Sequence, residues 1–200
     1  MRVVGLLMLG LIVLQTASAD RLIEIPTGRL VYPERLAMEV GALKNTPNQT
    51  RMLINLRVAN LWEVQGARTG FDGRLEVYGI QYSVYPEIPG YAPGVAVGIS
   101  DLTNRTSQGR GYYVAISYGI AALGKTPLDH DLRVHLGFGA EGAPSFFIGF
   151  DIPLNNYLFL RAEYADNQIN GALAWRLSEH LELRVAAIRQ HTSWSIMIRL

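Results

Sequence analysis

Serine and histidine are the residue types in this chain best suited to nucleophilic chemistry. Ser117 or Ser195 with His135 would supply a nucleophile and a base, but nothing in their spacing singles out such a pair. The four histidines, at 130, 135, 180 and 191, form no H-x-x-x-H pair, and the chain has no cysteine. Neither a metal site nor a disulfide is therefore indicated. We expect no catalytic residue, no metal and no cofactor.

Charged residues recur on one face of short segments in which apolar and polar side chains alternate. For example, Arg161 and Glu163 lie on one face of the segment 156–164, and Leu158 and Leu160 lie on the other. The charged members of this face are Glu39, Arg57, Glu63, Arg133, Asp151, Arg161, Glu163, Arg176, Glu182, Arg184 and Arg199, joined by His135. Because unpaired buried charges are costly, six cations beside five anions predict interior ion pairs. The alternative is a polar conduit whose arginines contact an anionic or sugar-like solute.

Period-two alternation, which is typical of β-strands, recurs along the chain after residue 20, whereas helix-period stripes are hard to find. In the last segment Trp194, Ile196 and Ile198 point one way, while Ser195 and Met197 point the other. Short turns between such segments force antiparallel neighbours. The pattern predicts about 12 strands. They are expected at 35–43, 51–59, 62–69, 73–85, 95–100, 112–120, 132–139, 145–152, 156–164, 168–177, 181–189 and 194–200.

The first 19 residues have the layout of a secretory signal peptide. Arg2 precedes an apolar run from Val3 to Leu14, and Ala17-Ser18-Ala19 forms an A-x-A-like site. We expect cleavage after Ala19 and a single domain at 20–200, the alternative being a retained anchor or a buried N-terminal helix. No other stretch approaches the roughly 20 consecutive apolar residues of a membrane helix. A formal charge of +1 without a basic cluster argues against a nucleic-acid partner.

Alternation alone fits both a soluble β-sandwich, whose apolar face points inward, and a membrane barrel, whose apolar face meets lipid. The signal peptide, the aromatic residues near strand ends and the small residues on the polar face favour the barrel. The sequence therefore predicts an all-β, antiparallel, up-and-down transmembrane β-barrel in the bacterial outer membrane, with both termini on the periplasmic side. The charged face then lines the lumen. A count of about 12 strands does not decide the size of the pore, because barrels filled by side chains have eight strands and water-filled porins have 16 or more.

Several stretches are similar to a known family. The run from Tyr82 to Asp101, YSVYPEIPGYAPGVAVGISD, leads from a strand through Pro-Glu and a loop into a proline-led strand. With IPTGR at 25–29, FIGFDIP at 147–153, Glu163-Tyr164 and Asn170-Gly171, it resembles the YjbH family (YjbH/GfcD type) of outer-membrane proteins associated with capsule and exopolysaccharide production. Longer members carry additional segments, so this chain resembles a single barrel unit.

The resemblance implies an accessory role in exopolysaccharide secretion or cell-envelope assembly. Its implied partners are the lipid bilayer of the outer membrane and polysaccharide or secretion-system proteins. The residues alone leave two other functions open, a structural or general small-solute barrel and a membrane lipid-modifying enzyme.

Overall fold

The computed structural model describes residues 19–30, 36–43, 50–69, 77–88, 90–120, 131–188 and 191–200. These ranges contain fourteen strands: β1 (Ala19–Arg21), β2 (Pro26–Leu30), β3 (Leu36–Leu43), β4 (Thr50–Ala59), β5 (Trp62–Thr69), β6 (Val77–Tyr85), β7 (Gly94–Ser100), β8 (Gly111–Ile120), β9 (Leu132–Glu141), β10 (Phe147–Pro153), β11 (Leu158–Ala165), β12 (Gln168–Arg176), β13 (Leu181–Ile188) and β14 (His191–Arg199). Within the same ranges, no helix has the length and apolar character needed to cross a membrane.

Twelve of the described strands, β3 to β14, form one closed antiparallel barrel, which confirms the predicted fold class. Consecutive strands from β3 to β14 pair with each other, and the short connections at 60–61, 154–157, 166–167 and 177–180 allow only antiparallel neighbours. β14 closes the barrel on β3, with a register from Ser193 opposite Leu43 to Arg199 opposite Ala37. Closure leaves the strands β3 to β14 without an unpaired sheet edge.

The predicted segments match these strands with small shifts at their ends. Segment 73–85 contributes β6, and its residues 73–76 lie outside the described residues. Pro86 and Pro93 flank the connection from β6 to β7, where the ladder stops, since proline cannot donate to a ladder. The predicted signal peptide also falls almost entirely outside the described residues and stays a prediction.

The outer surface of the barrel is apolar, and the inner surface carries charged and polar side chains among alanines and a few larger apolar residues. Along β8, Ala115 and Ser117 have no exposed surface, while Val114 and Ile116 beside them are exposed. Elsewhere the charged side chain of Glu182 is completely buried. This arrangement is the reverse of a soluble β-sandwich, whose apolar residues point inward.

The two ends of the barrel differ in their loops. The terminal rim holds Leu200 and the connections at 154–157 and 177–180, whereas the opposite rim holds the loop 101–110 and the connections at 142–146 and 166–167. The ten residues of β8 extend about 33 Å along the strand. At a tilt of about 40° they cover roughly 25 Å along the barrel axis, close to the apolar band of outer-membrane barrels.

The first two strands lie inside the barrel, which the sequence did not predict. β1 and β2 form an antiparallel hairpin, with Ala19 opposite Leu30 and Arg21 opposite Pro26. We name residues 19–30 the plug. Because β2 leads to Leu36 at the terminal rim, the plug enters from that rim and its tip, residues 22–25, points toward the opposite rim.

The plug packs tightly against one side of the lumen. Leu22, Ile23 and Ile25 are each at most 3% exposed and belong to an apolar cluster that includes Tyr113 and Phe147. Two glycines permit the close approach. A Cβ atom on Gly28 would collide with the main chain of the wall at β7 and β8, and one on Gly149 would collide with the tip.

Candidate functional site

The carboxylate of Glu163 binds the tip of the plug. β11 directs this side chain into the lumen, where it is 2% exposed. The backbone N–H groups of Ile23, Glu24 and Ile25 donate to it at 3.0–3.2 Å, and Asn170 Nδ2 donates at 2.8 Å. Three successive N–H groups on one ionised acceptor form a strong, charge-assisted contact. Glu163 therefore holds the tip in place.

We predict that Glu163→Gln loosens the tip without removing the side chain's volume. The amide would present its NH2 group to N–H donors, so part of a charge-assisted interaction of about 1.5–3 kcal/mol is lost. Hydrogen exchange of the amides of residues 23–25 should accelerate about ten- to a hundredfold. Asp166→Asn, a change at an exposed carboxylate on the same rim, is the matched control. Unchanged exchange in Glu163→Gln would contradict the role of Glu163.

Neutral amides and a phenol hold the middle of the plug. Gln81 Nε2 donates to the carbonyl oxygens of Thr27 at 3.1 Å and Arg29 at 3.2 Å, and Tyr113 donates to Gln81 Oε1 at 3.0 Å. On the other edge, Arg21 Nη2 donates to Gln65 Oε1 at 3.0 Å. The sequence did not lead us to Gln65 and Gln81, because we selected lumen-lining residues by their charge. Their position on the inward face of alternating strands was the available signal.

Ser117 and His135 meet beneath the plug. They are cross-strand partners on β8 and β9, with Ser117 Oγ 2.7 Å from His135 Nδ1, and both are buried. Such a pair can generate a nucleophile. Here the N–H of Gly28 donates to Ser117 Oγ at 2.8 Å, so the plug occupies the space that a substrate would need. Ser195 does not approach His135 and donates instead to Glu39 at 2.6 Å.

Ion pairs tie the base of the plug to the wall. Arg29 Nε lies 2.8 Å from Glu87 Oε2, and Arg133 Nε lies 3.6 Å from the other oxygen of Glu87. Sequence analysis did not include Glu87, because it follows β6 and the alternating pattern has ended there. Arg57 lies opposite the fully buried Glu63 in the register of β4 and β5.

A cluster of arginines surrounds Glu182 near the terminal rim. Both oxygens of Glu182 accept from Arg161, at 2.6 and 3.2 Å, and they also accept from Arg184 at 3.2 Å and Arg199 at 3.1 Å. Arg176 Nη2 lies 3.9 Å away, and its guanidinium is stacked over the ring of Phe159. We name Arg161, Arg176, Arg184, Arg199 and Glu182 the arginine cluster.

Two further carboxylates extend this cluster. Asp151 lies 3.3 Å from Arg161, and Glu39 lies 3.3 Å from Arg184. Four guanidinium groups thus share three carboxylates, which leaves a net charge of +1. The structure brings together seven of the predicted lumen-lining residues here, while it places His135, Glu163 and Arg133 at the plug contacts described above.

The loop 101–110 is organised by Asp101 at the opposite rim. Burial acts to raise the pKa of the Asp101 carboxyl, but hydrogen bonds from the N–H groups of Arg105 and Thr106 and from the Thr103 hydroxyl lower that pKa to about 2. A lowered pKa means that the charged form stabilises the fold and that this stabilisation is lost only as the pH falls toward 2. The loop therefore keeps these bonds at neutral pH.

No protein-family model matches the chain, and no curated protein sequence matches it. In the part of the chain that the structure describes, no group of three or more His, Asp or Glu side chains is arranged to hold a metal ion. A closed 12-strand barrel with an apolar exterior fits a generic outer-membrane barrel protein.

Proposed function

We propose that this chain is an outer-membrane β-barrel protein whose lumen is closed by its own N-terminal plug. The observation that carries the proposal is the orientation of the strands, with apolar side chains outside and charged side chains inside. A barrel in water would expose this apolar surface at a large cost in free energy, whereas lipid covers it without penalty. The predicted signal peptide supports the same location.

Exposed aromatic side chains near both rims support a membrane position. Aromatic residues concentrate where the hydrocarbon core meets the headgroups, because their rings are apolar and their polar atoms remain near water. Near the opposite rim lie Tyr112, Phe138, Phe146, Tyr164 and Trp194. Near the terminal rim lie Trp62, Tyr85, Tyr118, Tyr157 and Trp175.

A charge on the outer face tests this proposal. Ile116 lies at the middle of β8 and Ile120 at its end, and their exposures are nearly equal at 36% and 37%. In a bilayer, Ile116→Arg should lower the free energy of unfolding by about 2–4 kcal/mol, and Ile120→Arg by about 0–1 kcal/mol. Denaturant unfolding from lipid vesicles measures both. Two small and equal effects would indicate an exterior that faces water.

The finer proposal is an accessory role in exopolysaccharide secretion or envelope assembly, which rests on the resemblance of the sequence alone. The plug favours an accessory barrel over a general solute channel, since it occupies the lumen. Deletion of the gene should reduce surface polysaccharide, and the wild-type chain should restore it. An unchanged amount of surface polysaccharide in the deletion strain would contradict the role in secretion or envelope assembly. It would not affect the proposal of a plugged outer-membrane barrel.

A further inference from the structure

An apolar groove crosses the outer face of the barrel from β9 to β5 and has a volume of about 590 Å³. Its sides are two neighbouring rows of cross-strand partners whose side chains point outward. One row consists of Ala140, Tyr112, Ile99 and Ile80, and the other of Phe138, Val114, Val97, Tyr82 and Trp62. We name this feature the outer groove.

The depth of the outer groove follows from the alternation of the strands and from the size of its side chains. Between the two rows, Gly98, Tyr113 and Gly139 are the cross-strand partners that face the lumen, so the floor is main chain. Val97 and Val114 are the short side chains in the middle of one row, whereas aromatic side chains stand at both ends. The middle is therefore open to a flexible apolar chain.

The length of the outer groove suits one leaflet of a bilayer. Near the terminal rim Trp62 lies against Tyr82, with ring centroids 4.7 Å apart, and near the opposite rim stand Tyr112 and Phe138. Because the rows cross five strands at a spacing of about 4.8 Å, the outer groove is about 19 Å long. One leaflet contributes roughly 15 Å to the hydrocarbon core, so one tilted acyl chain fills this length.

A cation stands at the opposite-rim end of the outer groove. The alternation of β8 extends one residue before the strand, with Arg110 exposed, Gly111 buried and Tyr112 exposed. Arg110 therefore shares the outward face with Tyr112. Its Nη2 donates to the carbonyl oxygen of Leu102 at 2.9 Å, and the N–H of Leu102 donates to the carbonyl oxygen of Tyr78. These bonds place the guanidinium over the ends of β6 and β7, directly above the outer groove.

The apolar groove and the arginine at its end together select the ligand. A guanidinium has five N–H donors and binds phosphate oxygens strongly, so the bond to Leu102 leaves Arg110 able to hold a phosphate. We propose that the outer groove binds one acyl chain of an anionic, phosphate-bearing lipid and that Arg110 binds the phosphate of that lipid. This inference rests on the proposed outer-membrane location, because only there does lipid reach the outer face.

Native mass spectrometry of the detergent-solubilised full-length protein measures the lipid that stays bound. The probes are phosphatidylglycerol, which is anionic, and phosphatidylcholine with the same acyl chains, which has no net charge. We expect one phosphatidylglycerol molecule to bind about fivefold more tightly than phosphatidylcholine, and Arg110→Gln to remove the difference. Arg105→Gln, the same change of charge in the same loop, should preserve it. Equal binding of the two lipids to the wild type, or equal losses in the two variants, would overturn the proposal.

A variant that fills the outer groove locates the acyl chain. Val97→Trp adds an indole in the middle of the groove, whereas Val185→Trp makes the same addition on the outer face of β13, away from it. Affinity for phosphatidylglycerol should fall about tenfold in Val97→Trp and change less than about twofold in Val185→Trp. Val114→Phe fills the same space and serves if Val97→Trp does not fold. Undiminished binding in a folded groove-filling variant would contradict the proposal, as would a protein dimer that Val97→Trp separates, since a second copy would then cover the groove.

The unfolding experiment with Ile116→Arg and Ile120→Arg separates this proposal from the proposed location. If those variants show the expected dependence on depth while the wild type binds neither lipid in its groove, the lipid site alone is wrong. Two small and equal effects of the arginines would remove the membrane location and the lipid site together.

Discussion

Removal of the plug should convert a closed barrel into one that conducts ions. Deleting residues 20–30 removes the hairpin that fills the lumen, while β3 to β14 keep every strand pairing of the barrel. Water and ions can then enter, because the exposed wall is lined by polar side chains such as Gln65, Gln81 and Glu163. Planar-bilayer recordings should show no steady conductance for the full-length protein and stable open channels for the deletion variant.

The point variant Glu163→Gln separates loss of the plug from loss of the fold. Since it weakens only the tip contacts, we expect brief openings between long closed periods. Asp166→Asn should remain as closed as the wild type. Equal, steady conductance in all these proteins would mean that the plug does not close the lumen. A correctly folded deletion variant without conductance would contradict the proposal in the same way.

Neutralisation of Glu182 should be the most destabilising single change in the barrel. Its carboxylate is completely buried and is shared by Arg161, Arg184 and Arg199. Glu182→Gln keeps the shape but leaves these guanidinium groups with too little negative charge, and removing one partner of a buried ion pair costs about 3–5 kcal/mol. Urea unfolding of the protein in lipid vesicles gives the free energy of unfolding. Glu179→Gln, at an exposed position in the adjoining turn, should change it by less than about 0.5 kcal/mol.

A second substitution tests whether charge is the cause. Arg199→Gln in the Glu182→Gln background removes one of the excess cations, so the double variant should recover part of the lost stability. If the two effects simply add, the arginines do not depend on Glu182 for compensation. A free energy of unfolding equal to that of the wild type in Glu182→Gln would contradict the assigned role of the cluster.

The barrel could be predicted from the sequence because alternation fixes which side chains share a face. Arg161 and Glu163 lie on one face of β11, and Leu158 and Leu160 lie on the other. Once one of these faces is assigned to the lumen, the orientation of every other strand follows. The same pattern predicted interior ion pairs, and the arginine cluster contains them. The pattern could not predict which charges meet, since Glu39 and Arg184 are 145 residues apart and come together only through the closure of β14 on β3.

The plug could not be predicted for a related reason. β1 and β2 have only three and five residues, too few for a convincing alternation. Their position depends on contacts with distant residues, such as that between Ile23 and Glu163, 140 residues along the chain. The contact between Ser117 and His135 likewise depends on the register of β8 and β9. The stretch Ile25 to Arg29 lies at the tip and in β2 of this plug.

Membrane fractionation with electrophoresis of heated and unheated samples tests the membrane barrel most directly. We predict that the protein is recovered in the outer membrane and that the unheated band migrates differently from the heated one, because a closed barrel resists detergent until it is boiled. A protein recovered in the soluble periplasmic fraction, with one band under both conditions, would contradict the lipid-facing exterior and the proposed location.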